Sequence, residues 1–176
     1  MVALKKQLDP AAEARALADE LNHRFAGASA EDVIAFAVRE GFPGAVGAVS
    51  SFGAESAVLL NLIASVEKST PILFLDTGKH FGETLDYRRD LTATLGLTDV
   101  RDIEPLADKL SSDDPDGTLH TISTDRCCAI RKVEPMARAV IPFDAWFTGR
   151  KRFQASTRAA LPLFEAVGHR IRINPL

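Results

Sequence analysis

Two cysteines in 176 residues are too few for a disulfide-stapled fold, and a single tryptophan and a single tyrosine leave the apolar mass to aliphatic side chains and ten phenylalanines. No run of about 18 apolar residues occurs, which excludes a membrane-spanning helix. The first 25 residues alternate charged and apolar groups without an unbroken apolar stretch, so no secretory leader is expected. Internal repeats and low-complexity tracts are also lacking. What is present is a 46% hydrophobic fraction, too high for a disordered chain and ample for a core. These features predict a single cytoplasmic α/β-sized domain with no membrane partner.

The net charge of −3 conceals an asymmetry. Residues 1–125 hold 11 Lys and Arg against 21 Asp and Glu, whereas residues 126–176 hold 10 against 3. A basic final third predicts a lobe that meets an anion. That stretch lacks interleaved aromatics and a recognisable reading helix, and the pI is near 5.8. A small phosphorylated ligand therefore fits it better than nucleic acid.

The periodicity changes along the chain. Asp9 as a cap and Pro10 at the first helical position open one helix, and Ser29, followed by Glu31 and Asp32, opens a second that stops at Gly41. Ala45–Ser50 then reads as a buried strand, 55–66 as helix, Pro71–Leu75 as strand, 83–95 as helix and Asp99–Ile103 as strand. Residues 111–124, with Ser111, Ser112, Asp113, Asp114, Pro115, Asp116 and Gly117 in succession, read as an exposed loop. Helix resumes at about Asp125 and runs to about Val140, Ala145–Thr148 is a fourth strand, and Leu161–Val167 and Ile171–Ile173 are expected to pair at the edge. Strand–helix alternation of this kind predicts an open, mainly parallel sheet with helices on both faces.

In such a sheet, ligands bind outside the carboxyl ends of the strands. Three turns are expected there. Ser51, Phe52, Gly53, Ala54, Glu55 and Ser56 join a strand to a helix, where small residues and free N–H groups admit a phosphate. No Gly-Lys-Ser/Thr follows, so this is not a Walker loop. Leu75, Asp76, Thr77, Gly78 and Lys79 end the next strand, and a ribose or base edge could bond Asp76 or Thr77 while Lys79 meets a phosphate. Gly149, Arg150, Lys151, Arg152, Gln154 and Arg158 follow the fourth strand, and guanidinium forks at Arg152 and Arg158 suit phosphate or sulfate oxygens. Each turn by itself is also compatible with an ordinary capped or solvated loop.

Cys127 and Cys128 are adjacent, a spacing that disfavours a disulfide between them. Thiolate pairs suit zinc or an iron–sulfur cluster, which normally takes four ligands, and only two cysteines exist. A buried inert pair is the other reading. His23, His80, His120 and His169 show no metal-ligand spacing; His80, beside Lys79, is placed to reach a ligand.

Together, from about residue 45 to the last residue, these segments resemble the sulfonucleotide reductases, the adenylyl-sulfate and phosphoadenylyl-sulfate reductases of assimilatory sulfate reduction. Ser51–Ser56 resembles that family's modified pyrophosphate-binding loop. Leu75–Lys79, continuing through Glu83 and Thr84, is similar to its Leu-Asp-Thr-Gly motif. Ile130–Met136 resembles the segment after its cysteine pair, and Gly149–Arg158 with Leu161 and Pro162 resembles its arginine loop.

The resemblance implies an adenine-nucleotide α-hydrolase-like (PP-loop) fold, with residues 1–43 as an N-terminal helical segment and 44–176 as the nucleotide-binding domain. It also implies chemistry: a cysteine thiolate attacks the sulfur of the phosphosulfate, displaces the nucleotide and leaves S-sulfocysteine, from which thioredoxin or a similar dithiol releases sulfite. Lys132, Arg152 and Arg158 are the implied charge-stabilising residues, with residues 51–56, 75–79, Gly149, Lys151 and Gln154 holding the substrate. Cys127 and Cys128 match half of a [4Fe-4S] site, which favours adenylyl sulfate over phosphoadenylyl sulfate. The family's later Cys-x-x-Cys and its Glu-Cys-Gly-x-His nucleophile segment are missing, so a shortened reductase is expected that binds nucleotide but is catalytically incomplete. A homo-oligomer is expected. The alternatives are an ATP-using PP-loop enzyme, a non-catalytic nucleotide-binding remnant, and a zinc or iron site shared between two chains.

Overall fold

A computed structural model describes residues 9–53, 56–150 and 161–176. Local chemistry sets the first elements. Asp9 accepts the Ala11 N–H at 3.2 Å and Pro10 opens α1, Pro10–Arg24. Ser29 accepts the Asp32 N–H at 3.1 Å and opens α2, Ala30–Phe36, which widens into a π turn over Ala37–Gly41. Then β1 (Val46–Ser50), α3 (Ser56–Val66), β2 (Ile72–Leu75), α4 (Gly82–Leu95) and β3 (Val100–Ile103) alternate as the periodicity predicts. Gly96 stops α4 in the left-handed region, at φ +66°, where a side chain would be strained.

Residues 111–124 differ in part from expectation. Most of them are exposed as expected, but they are not all loop: α5 (Ala107–Asp113) and α6 (Leu119–Ile122) flank a short turn, and Asp114 of that turn and Leu119 at the start of α6 are buried. The physical reason is a long-range partner, since Asp114 is neutralised by Arg131. A run of Ser and Asp reads as solvated only while no cation comes to meet it.

Helix resumes as expected. It runs through α7 (Thr124–Cys128), a π turn over Ala129–Val133, and α8 (Glu134–Ala139). β4 (Ala145–Thr148), β5 (Phe164–Val167) and β6 (Arg170–Ile173) complete a six-stranded sheet ordered β3-β2-β1-β4-β6-β5. Every neighbouring pair is parallel except β5–β6. The expected mainly parallel sheet is therefore present, and the pair expected at its edge forms and is antiparallel. The chain steps outward from β1 to β3 and then returns to β4 on the other side of β1. That reversal puts the topological switch point between β1 and β4.

Strand alternation assigns the two faces. Ile72, Phe74, Ala48, Ala145, Phe147, Ile171 and Ile173 point into one core, filled by Leu21, Val33, Ile34, Leu60 and Ile63 of α1–α3 and flanked by Leu85, Leu91 and Leu95 of α4. The opposite face holds a smaller cluster, Leu73, Val140, Phe143 and Trp146, with Met136 and Ala139 of α8 against it. At the sheet edge, Asn22 of α1 reads the backbone of β5. Its Nδ2 donates to Phe164 O at 2.7 Å, and its Oδ1 accepts Phe164 N–H at 3.0 Å. That edge position is thereby satisfied rather than left to pair with another chain.

Candidate functional site

Because β2, β1 and β4 are parallel neighbours, the three predicted turns leave the same edge of the sheet. After β1, the Ser50 hydroxyl accepts the Phe52 N–H at 3.0 Å, and Phe52 sits at φ +52°. A bulky residue in that region is strained, and what holds it is its ring, which is buried edge-to-face on Phe74 with centroids 5.6 Å apart. Phe52 thus places its ring in the core and only its backbone in the turn. Ser51 and Gly53 are exposed, and Ser56 donates its N–H to Gly53 O at 2.8 Å. Ala54 and Glu55 lie outside the described residues.

The turn after β2 is held more completely. Asp76 Oδ1 accepts the Gly78 N–H at 2.8 Å, Thr77 Oγ1 accepts the Lys79 N–H at 3.2 Å, and Gly78 takes φ +64°. Asp76 N–H bonds to Ile103 O at 3.0 Å, tying the turn to β3. His80 lies on Phe74, with ring centroids 5.0 Å apart, and its Nε2 is 2.9 Å from Leu75 O. Lys79 Nζ donates to Gly117 O at 2.8 Å.

At the third turn, Thr148 donates its hydroxyl to Oδ1 of the fully buried Asn174 at 2.7 Å, fixing the end of β4 against the chain after β6. Gly149 follows, and Arg150 Nη1 donates to Glu165 Oε2 at 3.1 Å. Lys151, Arg152, Gln154 and Arg158 lie outside the described residues.

A cleft of about 480 Å³ opens between the β2 turn and the cysteine helix. Thr77, Lys79 and His80 line one side; Cys127, Cys128, Arg131 and Lys132 line the other, with His120 of α6 at the margin. The spacing of the helical residues explains their convergence: positions i, i+1, i+4 and i+5 lie one turn apart on a shared face. Cys127 is buried and Cys128 half-buried, both free thiols. Lys132 is exposed and makes no ion pair among the described residues. A second cavity, of about 530 Å³, lies at the opposite end of the strands where α4 meets β3, and it holds none of the predicted residues.

Sequence reasoning missed Asp114 and passed over His120. The Arg131 guanidinium donates to Asp114 Oδ2 from Nη2 at 2.5 Å and from Nε at 3.2 Å, and its Nη1 donates to Thr77 O at 2.8 Å. Asp114 Oδ1 accepts the Leu119 N–H at 2.8 Å. The Arg131 bonds, followed by the Leu119 amide, hold the Asp114 carboxyl below the usual carboxylate range despite burial. No local spacing rule links residues 114 and 131; the one cue was Leu119, an apolar residue just after a polar run.

The two thiols do not make a complete cluster site. A [4Fe-4S] cluster takes four ligands, and among the described residues no group of three or more Cys, His, Asp or Glu side chains is placed to hold a metal.

A six-stranded, mostly parallel sheet with its turns and cysteine helix gathered at the carboxyl edge defines an α/β protein of the PP-loop-like class. Residues 46–176 match the family model of the phosphoadenosine phosphosulfate reductase domain. The chain belongs to this family, as its motifs suggested. Adenosine 5'-phosphosulfate reductase of Chelativorans sp. (strain BNC1) is 56% identical over 177 residues, covering 100% of this chain and 71% of the relative. The protein of the same name from Mesorhizobium japonicum is 61% identical over 145 residues, covering 82% of this chain and 57% of that relative. In structure, a phosphoadenylyl-sulfate reductase from Candida auris, solved as a phosphate complex, matches with a TM-score of 0.71 at 27% identity, covering 99% of this chain and 81% of that one. No helix among the described residues is long and apolar enough to cross a membrane.

Proposed function

We propose that the chain is the nucleotide-binding part of a cytoplasmic, thioredoxin-type adenylyl-sulfate reductase, and that its 176 residues bind adenylyl sulfate without releasing sulfite. The observation that carries this reading is the cleft in which the Asp76-Thr77-Gly78-Lys79 turn faces Cys127 and Cys128. Relatives named for adenylyl sulfate at 56% and 61% identity support that substrate over its 3′-phosphorylated form. Phosphoadenylyl sulfate is the second reading.

The nucleotide is held by the turns 51–56 and 75–79 together with Gly149, Lys151 and Gln154. Transfer of sulfur from a phosphosulfate to a thiolate builds negative charge on the departing phosphate, so cations fixed in advance around it lower the barrier. Lys132, in the cleft wall, is one such cation, and Arg152 and Arg158 are assigned the same role. Both cysteines of the chain match cluster ligands of the family and neither is assigned as the nucleophile. A complete [4Fe-4S] cluster would need further ligands, and no step is assigned to it. A second copy of the chain and a dithiol donor are the expected partners.

Titration calorimetry with adenylyl sulfate, phosphoadenylyl sulfate, AMP and ATP tests the proposal. Adenylyl sulfate is expected to bind more tightly than phosphoadenylyl sulfate, with no sulfite formed when reduced thioredoxin is added. Failure of all four nucleotides to bind overturns it. Sulfite release would overturn the assignment of both cysteines, and ATP–pyrophosphate exchange would point to the ATP-using alternative.

A further inference from the structure

We propose that Asp114 is a positioning residue: through Arg131 it locks the cysteine helix to the Asp76-Thr77-Gly78 turn and so sets the geometry in which the turn meets its nucleotide. The proposal rests on the nucleotide reading of that turn.

One carboxylate joins three separate pieces of chain. Oδ2 takes two donors from Arg131, Oδ1 takes the Leu119 amide at the start of α6, and Arg131 passes the connection on to the Thr77 carbonyl with its remaining nitrogen. The two side chains are 7% and 2% exposed, so water does not compete for these bonds. A second tie runs parallel to the first. Lys79, in the same turn, donates to Gly117 O, so residues 114–119 hold the turn from both ends. Gly117 itself is at φ +67°, where a side chain would be strained, and a Cβ there would come within 3.1 Å of Lys79 Nζ and displace it slightly.

Stability does not explain the pair. Exchanging a buried ion pair for packed apolar residues is often neutral or stabilising, so such a pair is weak evidence for stability. An apolar pair cannot do what this guanidinium does, which is to bind a carboxylate on one element and a carbonyl on another in one rigid plane. The arrangement also sorts the cations of the cleft. Arg131 is neutralised by Asp114 and Lys79 is turned to a carbonyl, which leaves Lys132 as the cation in the cleft wall with neither an ion pair nor a side-chain hydrogen bond among the described residues.

The test compares D114N, D114E and R131K with the parent chain by two readouts: calorimetric affinity for adenylyl sulfate and AMP, and the rate at which iodoacetamide alkylates Cys127 and Cys128 without nucleotide. D114N is expected to weaken both nucleotides by about tenfold, the value of one charge-assisted bond, and to speed alkylation severalfold as the helix is released. D114E is expected to recover part of both. A residue that only supports the fold would lower the melting temperature of D114N yet leave affinity and alkylation unchanged where the variant is folded, and that result overturns the proposal. Should D114N not fold, R131K decides: it keeps the charge but replaces the planar fork, which makes three bonds from three nitrogens, with one ammonium that cannot reproduce that geometry, so parent-like affinity overturns the proposal. If the parent chain binds neither nucleotide, the nucleotide reading of the turn fails, and alkylation alone judges the lock, with equal rates for D114N and the parent counting against it.

Discussion

The face of the sheet under α1–α4 and the face under helix 124–139 share the same strands but are closed by opposite means. On the first, side chains such as Ile72, Phe74, Phe147 and Ile173, each at most 1% exposed, pack on the apolar sides of α1–α4. On the second, Leu73, Val140, Phe143 and Trp146 form a smaller buried cluster among the described residues, and much of the remaining contact is polar. Arg131 reaches Asp114 and Thr77, Arg101 lies over the Phe143 ring with its guanidinium carbon 5.8 Å from the centroid, and Glu165 gathers Arg172 and Arg150. Apolar packing is non-directional and supplies stability in proportion to area. Charged forks are directional and supply little net stability but fixed geometry. The candidate site lies on the side that uses the second means.

The largest effect should therefore come from the first face. Phe147 is fully buried in the middle of β4, and Phe147→Ala removes a ring that the surrounding helices cannot follow inward. A loss of about 3–5 kcal/mol is expected, read as a shift of the urea midpoint without change in slope. A loss below about 1 kcal/mol would mean that this core is not the main source of stability.

The same contrast explains what could be read from the sequence. Elements that depend on neighbours in the chain were legible: Asp9-Pro10 and Ser29 as helix starts, the apolar runs of β1 and β2, the Asp-Thr-Gly turn, and the parallel sheet that follows from their alternation. The first face, being a matter of pattern, came with them. The second face did not, because its contacts are between groups far apart in the chain. Asp114 and Arg131 are 17 residues apart, a spacing with no periodic signature, and at the sheet edge Asn22 and Phe164, 142 apart, have none either. The π turns at Ala37–Gly41 and Ala129–Val133 had no sequence signal either, since nothing in their composition departs from ordinary helix. Phe52 reads as a turn residue from its position, yet its ring lies in the core, because a large apolar side chain beside Phe74 has more to gain from burial than from exposure.

An intermediate effect belongs to the edge where the two means meet. Asn22 exchanges two hydrogen bonds with the Phe164 backbone, and Asn22→Ala leaves that N–H and carbonyl without their partner. A loss of about 2 kcal/mol is expected from two such bonds, together with faster amide exchange at Phe164. Unchanged exchange there would show that α1 contributes packing to β5 and not edge pairing.

The smallest effect should be on the polar face, and it carries a pH signature that packing lacks. Burial alone would raise the Glu165 pKa, but its bonds to Arg172 and then Arg150 outweigh that and hold it below the ordinary value of 4.5. A carboxylate whose pKa is lower in the folded than in the unfolded state adds stability above the unfolded value and loses it as pH falls through the folded one. Glu165→Gln removes the charge at every pH, so the parent chain should exceed the variant by about 0.5–1 kcal/mol near neutrality. That margin should narrow below about pH 4.5 and close once the parent carboxyl is protonated, while the deficit of Phe147→Ala persists across the same range. Thermal unfolding of the three proteins between about pH 7 and about pH 3 measures it. A gap for Glu165→Gln that stays constant with pH would show that Glu165 holds the Arg172 and Arg150 side chains by shape rather than by charge, and the distinction between the two faces would fail at this position.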